Sequence, residues 1–222
     1  MVCFAPRFLS RGRHSGAIDE EGPPRVPSRK QVLSAVYFEH QEPDSYLCVL
    51  HCLNNVLQGP YFSLDDLISI SNELDEAERA LLQGHELLQA YTPASLNASL
   101  TGFFSAQVLL AALASVGIHP EPLRWKASET RSLQRAAQKA VQYGAVLVHY
   151  DSHWLAWRRV VCGLKLYWVL LDSYRAGPEI RRTEQAMAQI ELYLRAKAVV
   201  YGIPKEALPE TPLDQFCGRH TM

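Results

Sequence analysis

Residues 48–58, CVLHCLNNVLQ, put a cysteine at the head of a segment whose leucines and valine recur at helical spacing. Further along, HYDSHWLAW (149–157) sets a histidine before an aromatic run, and YWVLLDS (167–173) ends an apolar stretch on an aspartate. Thiol, imidazole and carboxylate are the three groups of a thiol hydrolase: the imidazole takes the thiol proton, and the carboxylate orients the ring. With Ser45 as N-cap, Cys48 falls in the first turn of its helix, where unpaired backbone N–H groups favour negative charge. A cysteine so placed is also often an ordinary buried side chain, and Cys52, one turn further in, is read as core.

His153 has a competitor in His149, which lies inside the apolar run AVLVHY (145–150). Centring a hairpin on Cys162-Gly163 places His153 opposite Asp172, and directly opposed Cβ atoms lie about 5 Å apart. The alternative for Asp172 is an acid that caps a turn. Gln41 precedes Cys48 in the chain. Its amide, with the Cys48 backbone N–H, makes an oxyanion hole, whose donors are worth about 2.7–4 kcal/mol in a transition state. Taken alone, a glutamine ahead of a helix is ordinary polar surface.

The elements that must position these groups follow from periodicity and punctuation. Pro43, Asp44 and Ser45 supply cap candidates for the cysteine helix, Leu50, Leu53, Val56 and Leu57 form its buried stripe, and Gln58-Gly59-Pro60 stops it. Ser63 with Asp66 resembles a capping box that opens a helix over Leu64, Leu67 and Ile68. A further helical piece covers 75–83, and 84–102 reads as loop or weak helix. Ser105 caps a helix over 106–116 that Gly117 closes. The second half is strand-rich: 145–150 is a central strand, 153–161 and 164–172 a hairpin, and 196–203 a last strand. Thr183 caps a helix along Met187, Ile190 and Leu194. Helices first and an antiparallel sheet after is an α+β plan.

The chain has 222 residues, 48% hydrophobic, with a net charge of −1, which suits one medium domain and offers no basic face for nucleic acid. No apolar run approaches the roughly 18 residues of a membrane span. The first 18 residues contain arginines and no acid, a transit-peptide trait, but the apolar core of a secretory signal is missing. Residues 1–34, rich in Gly and Pro, read as a disordered tail, 35–203 as the domain, and 204–222 as a short C-terminal tail. Five cysteines, an odd number without framework spacing, point to a reducing compartment. Cys48, His51 and Cys52 are too few for a zinc site.

Four strings, LCxxHCLNNxLQGxYFS (47–63), GFFSxQVL (102–109), SHW (152–154) and WxxxDSxxxGPE (168–179), resemble the Josephin domain in its ataxin-like form. The resemblance spans about residues 36–203. It implies a papain-like cysteine protease fold, N-terminal helices packed on an antiparallel sheet, and a deubiquitinase that cleaves ubiquitin from lysine side chains without metal or cofactor. By the same resemblance Cys48 is the nucleophile, His153 the general base, Asp172 the third member and Gln41 the oxyanion glutamine. Tyr61, Phe62 and Gln107 match ubiquitin contacts. Ubiquitin and ubiquitinated proteins are the implied partners of a monomer in cytoplasm or nucleus. A catalytically weak ubiquitin-binding protein with the same fold is the alternative.

Overall fold

The computed structural model describes residues 27–82, 95–99, 101–126 and 128–218. Six strands form one antiparallel sheet in the order β1-β6-β2-β3-β4-β5. They are β1 Glu121–Pro122, β2 Ala145–Tyr150, β3 His153–Cys162, β4 Lys165–Leu171, β5 Glu179–Arg181 and β6 Val199–Ile203. The helices described are α1 Arg29–Ser34, α2 Cys48–Leu57, α3 Leu64–Leu82, α4 Ala106–Ser115, α5 Thr130–Ala140, α6 Thr183–Arg195 and α7 Pro212–Gly218. This is the α+β papain-like plan that the sequence implies.

Strand alternation sorts the core onto the two faces of the sheet. Ala145, Leu147, Trp154, Ala156, Val169 and Leu171 pack with the apolar stripes of α2 and α4. Val146, Val148, Leu155, Trp157, Trp168 and Leu170 pack on the other face with Leu133 and Ala137 of α5 and Ile190 and Leu194 of α6. Both faces of the central strands are therefore covered, which is why 145–148 is apolar without a break.

Several local signals act as read. Ser63 and Asp66 bond reciprocally, Ser63 N–H to Asp66 Oδ2 at 2.8 Å and Asp66 N–H to Ser63 Oγ at 3.3 Å. The helix they open runs unbroken to Leu82, so the two pieces expected there are one. Ser105 caps α4, and Gly117 takes the left-handed φ of 78° that ends it. Helix α6 is capped by Arg182, with Thr183 as its first residue rather than its cap. Of the stretch 84–102, residues 84–94 and 100 lie outside the described residues.

Both expected tails contribute ordered structure. Ser28 and Gln31 close a capping box on α1, and Val32 is fully buried. At the other end, Leu213 and Cys217 lie one helical turn apart on α7 and both are buried. Arg158, buried in β3, donates from Nη1 to the Val56 carbonyl in the last turn of α2 (2.7 Å) and from Nη2 to Asp214 Oδ2 (2.9 Å). One guanidinium thus links the cysteine helix, the sheet and α7.

The expectation of unpaired thiols also fails. Cys162 and Cys217 form a disulfide across 55 residues, a separation that no local spacing could betray. Closing a loop of that length removes about 4 kcal/mol of unfolded-chain entropy as a ceiling. A dithiol reductant should therefore lower the thermal midpoint by up to roughly 10 °C. Calorimetry with and without reductant checks this, and an unchanged midpoint would show that the bond adds no stability.

Candidate active site

Cys48 is the first residue of α2 and is 3% exposed. The helix starts two residues later than the Ser45 cap would place it. Leu47 is the N-cap without a side-chain bond, and the Ser45 hydroxyl is buried without a partner. The first intrahelical donor is His51, to the Leu47 carbonyl at 3.1 Å. The amides of the preceding turn, that of Cys48 included, are thus directed out of the helix end.

His153 opens β3 directly after Asp151-Ser152, whose φ values of 51° and 58° make the tight turn of a two-residue hairpin with β2. Asp172 follows the last residue of β4. The β3–β4 register differs from expectation: Cys162 pairs with Lys165 and Ala156 with Leu171, so the turn centres on Gly163-Leu164. Continuing that ladder sets Asp172 across from Leu155, and His153 across from Tyr174. A slip of two residues preserves the face, so His153 and Asp172 meet as a diagonal pair rather than an opposed one. His153 Nε2 and Asp172 Oδ1 are 2.8 Å apart, and the Tyr174 ring stacks on the imidazole with centroids 4.1 Å apart.

Burial opposes charge on His153, but the hydrogen bond to Asp172 and the proximity of the Cys48 thiol outweigh it and push the imidazole up to about 9. Nε2 is engaged by Asp172, and Nδ1 is buried without a direct hydrogen-bond partner. Nδ1 is therefore the nitrogen free to face sulfur. Burial likewise opposes charge on Asp172, yet His153, the Tyr174 N–H (3.2 Å) and Arg175 Nε (3.2 Å) hold its carboxyl below the usual range. Arg175 in turn reaches Glu179 Oε1 at 2.5 Å. Sequence reasoning missed Tyr174 and Arg175, although both lie within the WxxxDSxxxGPE string.

The competing residues separate clearly. His149 stacks on Trp154 with centroids 4.7 Å apart, and burial followed by the charge of His153 pulls its pKa down. Burial, with Cys48 and Asp172 as secondary causes, pushes the Cys52 thiol well up, in keeping with its place in the core.

Gln41 is buried beside this group. Its N–H donates to the Ser173 carbonyl (2.9 Å), its Oε1 accepts from Ser173 Oγ (3.2 Å) and its Nε2 donates to the Ser45 carbonyl. A carboxamide nitrogen carries two hydrogens, so one remains for another acceptor. The aromatic pair splits: Tyr61 is 45% exposed, whereas Phe62 is 8% exposed and belongs to the core. Gln107, in the first turn of α4, is exposed. Among the described residues no group of three His, Cys, Asp or Glu side chains is placed to hold a metal ion.

A buried thiol at a helix start, next to an imidazole that a carboxylate orients, is an arrangement suited to nucleophilic attack on an acyl carbon. The Josephin family model matches residues 43–199. The "Ataxin-3-like protein" of Homo sapiens is 32% identical over 182 residues, which cover 80% of this chain and 48% of that protein. "Ataxin-3" of Gallus gallus is 32% identical over 182 residues, covering 80% and 47%. The "Ataxin-3 homolog" of Arabidopsis thaliana is 32% identical over 146 residues, covering 63% and 49%. The chain spans about half the length of these relatives.

Proposed function

The chain belongs to the Josephin family, and on that premise we propose that it is a cysteine-type deubiquitinase. The observation that carries this reading is the 2.8 Å contact between His153 and Asp172 beside the Cys48 thiol. His153 draws the proton from Cys48, and the sulfur attacks the carbonyl carbon of the isopeptide bond after the terminal Gly-Gly of ubiquitin. The negative oxygen of the tetrahedral species is held by the Cys48 N–H and the free hydrogen of the Gln41 amide. His153 returns its proton to the departing lysine amine as the C–N bond breaks. Water, deprotonated by His153, then hydrolyses the thioester and frees the Cys48 thiol.

Tyr61 and Gln107 offer exposed side chains for ubiquitin, while Phe62 is buried in the core and offers none. Ubiquitin and ubiquitinated proteins are the partners of a monomer acting in cytoplasm or nucleus. A second reading, a ubiquitin-binding protein with weak catalysis, is favoured by the Gln41 amide, which already gives one hydrogen to the Ser45 carbonyl.

Ubiquitin bearing a thiol-reactive group at its C-terminus distinguishes the two. A covalent adduct on wild type, absent from Cys48→Ala, is expected. Binding without an adduct selects the second reading, and neither adduct nor binding refutes both.

A further inference from the structure

Three carboxamides at the C-terminal end of α2, those of Asn54, Asn55 and the C-cap residue Gln58, repeat one geometry. Gln58 Oε1 accepts the Tyr37 N–H at 3.0 Å, and its Nε2 donates to the Tyr37 carbonyl at 3.0 Å. Asn55 Oδ1 accepts the Glu39 N–H at 2.6 Å, and its Nδ2 donates to the Glu39 carbonyl at 3.1 Å. Asn54 does the same for Phe62, with both bonds at 2.9 Å. Each side chain closes a ring of two hydrogen bonds on the N–H and C=O of a single residue, as the backbone of a neighbouring β-strand would.

Tyr37 and Glu39 are two residues apart, the spacing at which an extended chain presents its polar groups to one side. The next residue in that alternation is Gln41, whose N–H continues the pattern on the Ser173 carbonyl at 2.9 Å. Residues 37–41 are thus an extended strap hung from the same helix that begins with Cys48. The Glu39 carboxylate tightens the strap by accepting from the Tyr37 hydroxyl (2.5 Å) and from Asn54 Nδ2 (3.0 Å), and by pairing with His51 Nδ1 (2.8 Å). Asn54, Asn55 and Gln58 are all buried. A buried carboxamide holds one partner firmly, because losing that partner leaves it without water to replace the bonds.

We infer that Asn55 and Gln58 are positioning residues for the thiol reaction: they fix the strap so that the Gln41 amide and Cys48 share one rigid frame. This rests on the hydrolase reading above. If they act through Gln41, their effect must disappear when the Gln41 amide is gone.

The test is a double-mutant cycle on ubiquitin carrying a fluorogenic C-terminal amide. Gln58→Asn shortens the carboxamide while still tolerating the left-handed φ of 63° at that position. It should lower kcat roughly tenfold to a hundredfold with KM unchanged. Gln41→Ala should lower kcat by roughly a hundredfold or more, and adding Gln58→Asn to Gln41→Ala should cost nothing further. Additive losses, or a change confined to KM, overturn the inference while leaving the hydrolase reading intact. An inactive wild type overturns both. Should Gln58→Asn not fold, hydrogen exchange on wild type decides. The Tyr37 and Glu39 amides are expected to exchange as slowly as those of α2, and fast exchange overturns the strap.

Discussion

On the proposed deubiquitinase reading, replacing Cys48 with alanine should leave a folded protein that no longer releases ubiquitin. The substitution removes one sulfur from the first residue of α2 and adds nothing that clashes. Alanine is a strong helix former, and a vacated site the size of one sulfur costs far less than the removal of several methylene groups from a core. Thermal unfolding should therefore shift by only a few degrees. Turnover should fall by several orders of magnitude, because neither the imidazole nor the oxyanion donors can form the thioester. Release of a fluorophore from a ubiquitin conjugate, read beside a melting curve, checks both halves. Residual cleavage above a tenth of wild type would mean that another group carries the reaction.

The second large effect concerns the pair His153–Asp172 and its dependence on pH. His153 is raised from its ordinary 6.5 to about 9 in the folded chain. Its contribution to stability is therefore complete below about pH 6.5 and is lost as pH rises through about 9. That difference is on the order of 3 kcal/mol. Asp172 is shifted the other way: its contribution is present above the ordinary carboxylate range and is lost as pH falls through its depressed value. Removal of the carboxylate in Asp172→Ala should thus cost most between about pH 5 and 6.5, with the gap to wild type narrowing toward pH 9. Proton NMR of the His153 ring should show its midpoint moving down toward the free value in this variant. An unmoved midpoint would rule out Asp172 as its cause.

Activity should follow the same logic. Asp172→Ala loses both orientation and charge and should lower kcat by on the order of 10⁴. Asp172→Asn keeps an oxygen for His153 Nε2 but turns an amide nitrogen toward Arg175, which now donates to Oδ2. It should retain measurable turnover. Complete loss in Asp172→Asn would mean that the charge, beyond the orientation of the ring, is required.

Much of the site was readable because its signals are local. A cysteine before a helical stripe, a serine three residues before an acid, and a serine ahead of an apolar helix each declare themselves within a few residues. The His153–Asp172 partnership was also readable, although by a turn placed one residue early; the two-residue repeat of a strand forgave the error. Longer-range features left weaker marks. Helix α5 buries Leu133, Ala136, Ala137 and Ala140, a helical spacing that alanine makes faint. The packing of 204–218 rests on Arg158, Leu213 and Cys217, three residues whose partners lie far away in the chain. Phe62 belongs to a conspicuous aromatic pair, yet it is buried, with its backbone held by the carboxamide of Asn54 eight residues earlier.

Nine of the ten residues of α2 are buried; His51 is the one that is not. The helix that carries Cys48 is therefore also the middle of the hydrophobic interior. In a saturation screen scored by growth or abundance, nearly every position of α2 would look equally intolerant, and the pattern would reveal nothing about catalysis. Only a screen that scores protein level and turnover separately would resolve it, with Cys48 as the position where substitutions keep the protein and lose the reaction.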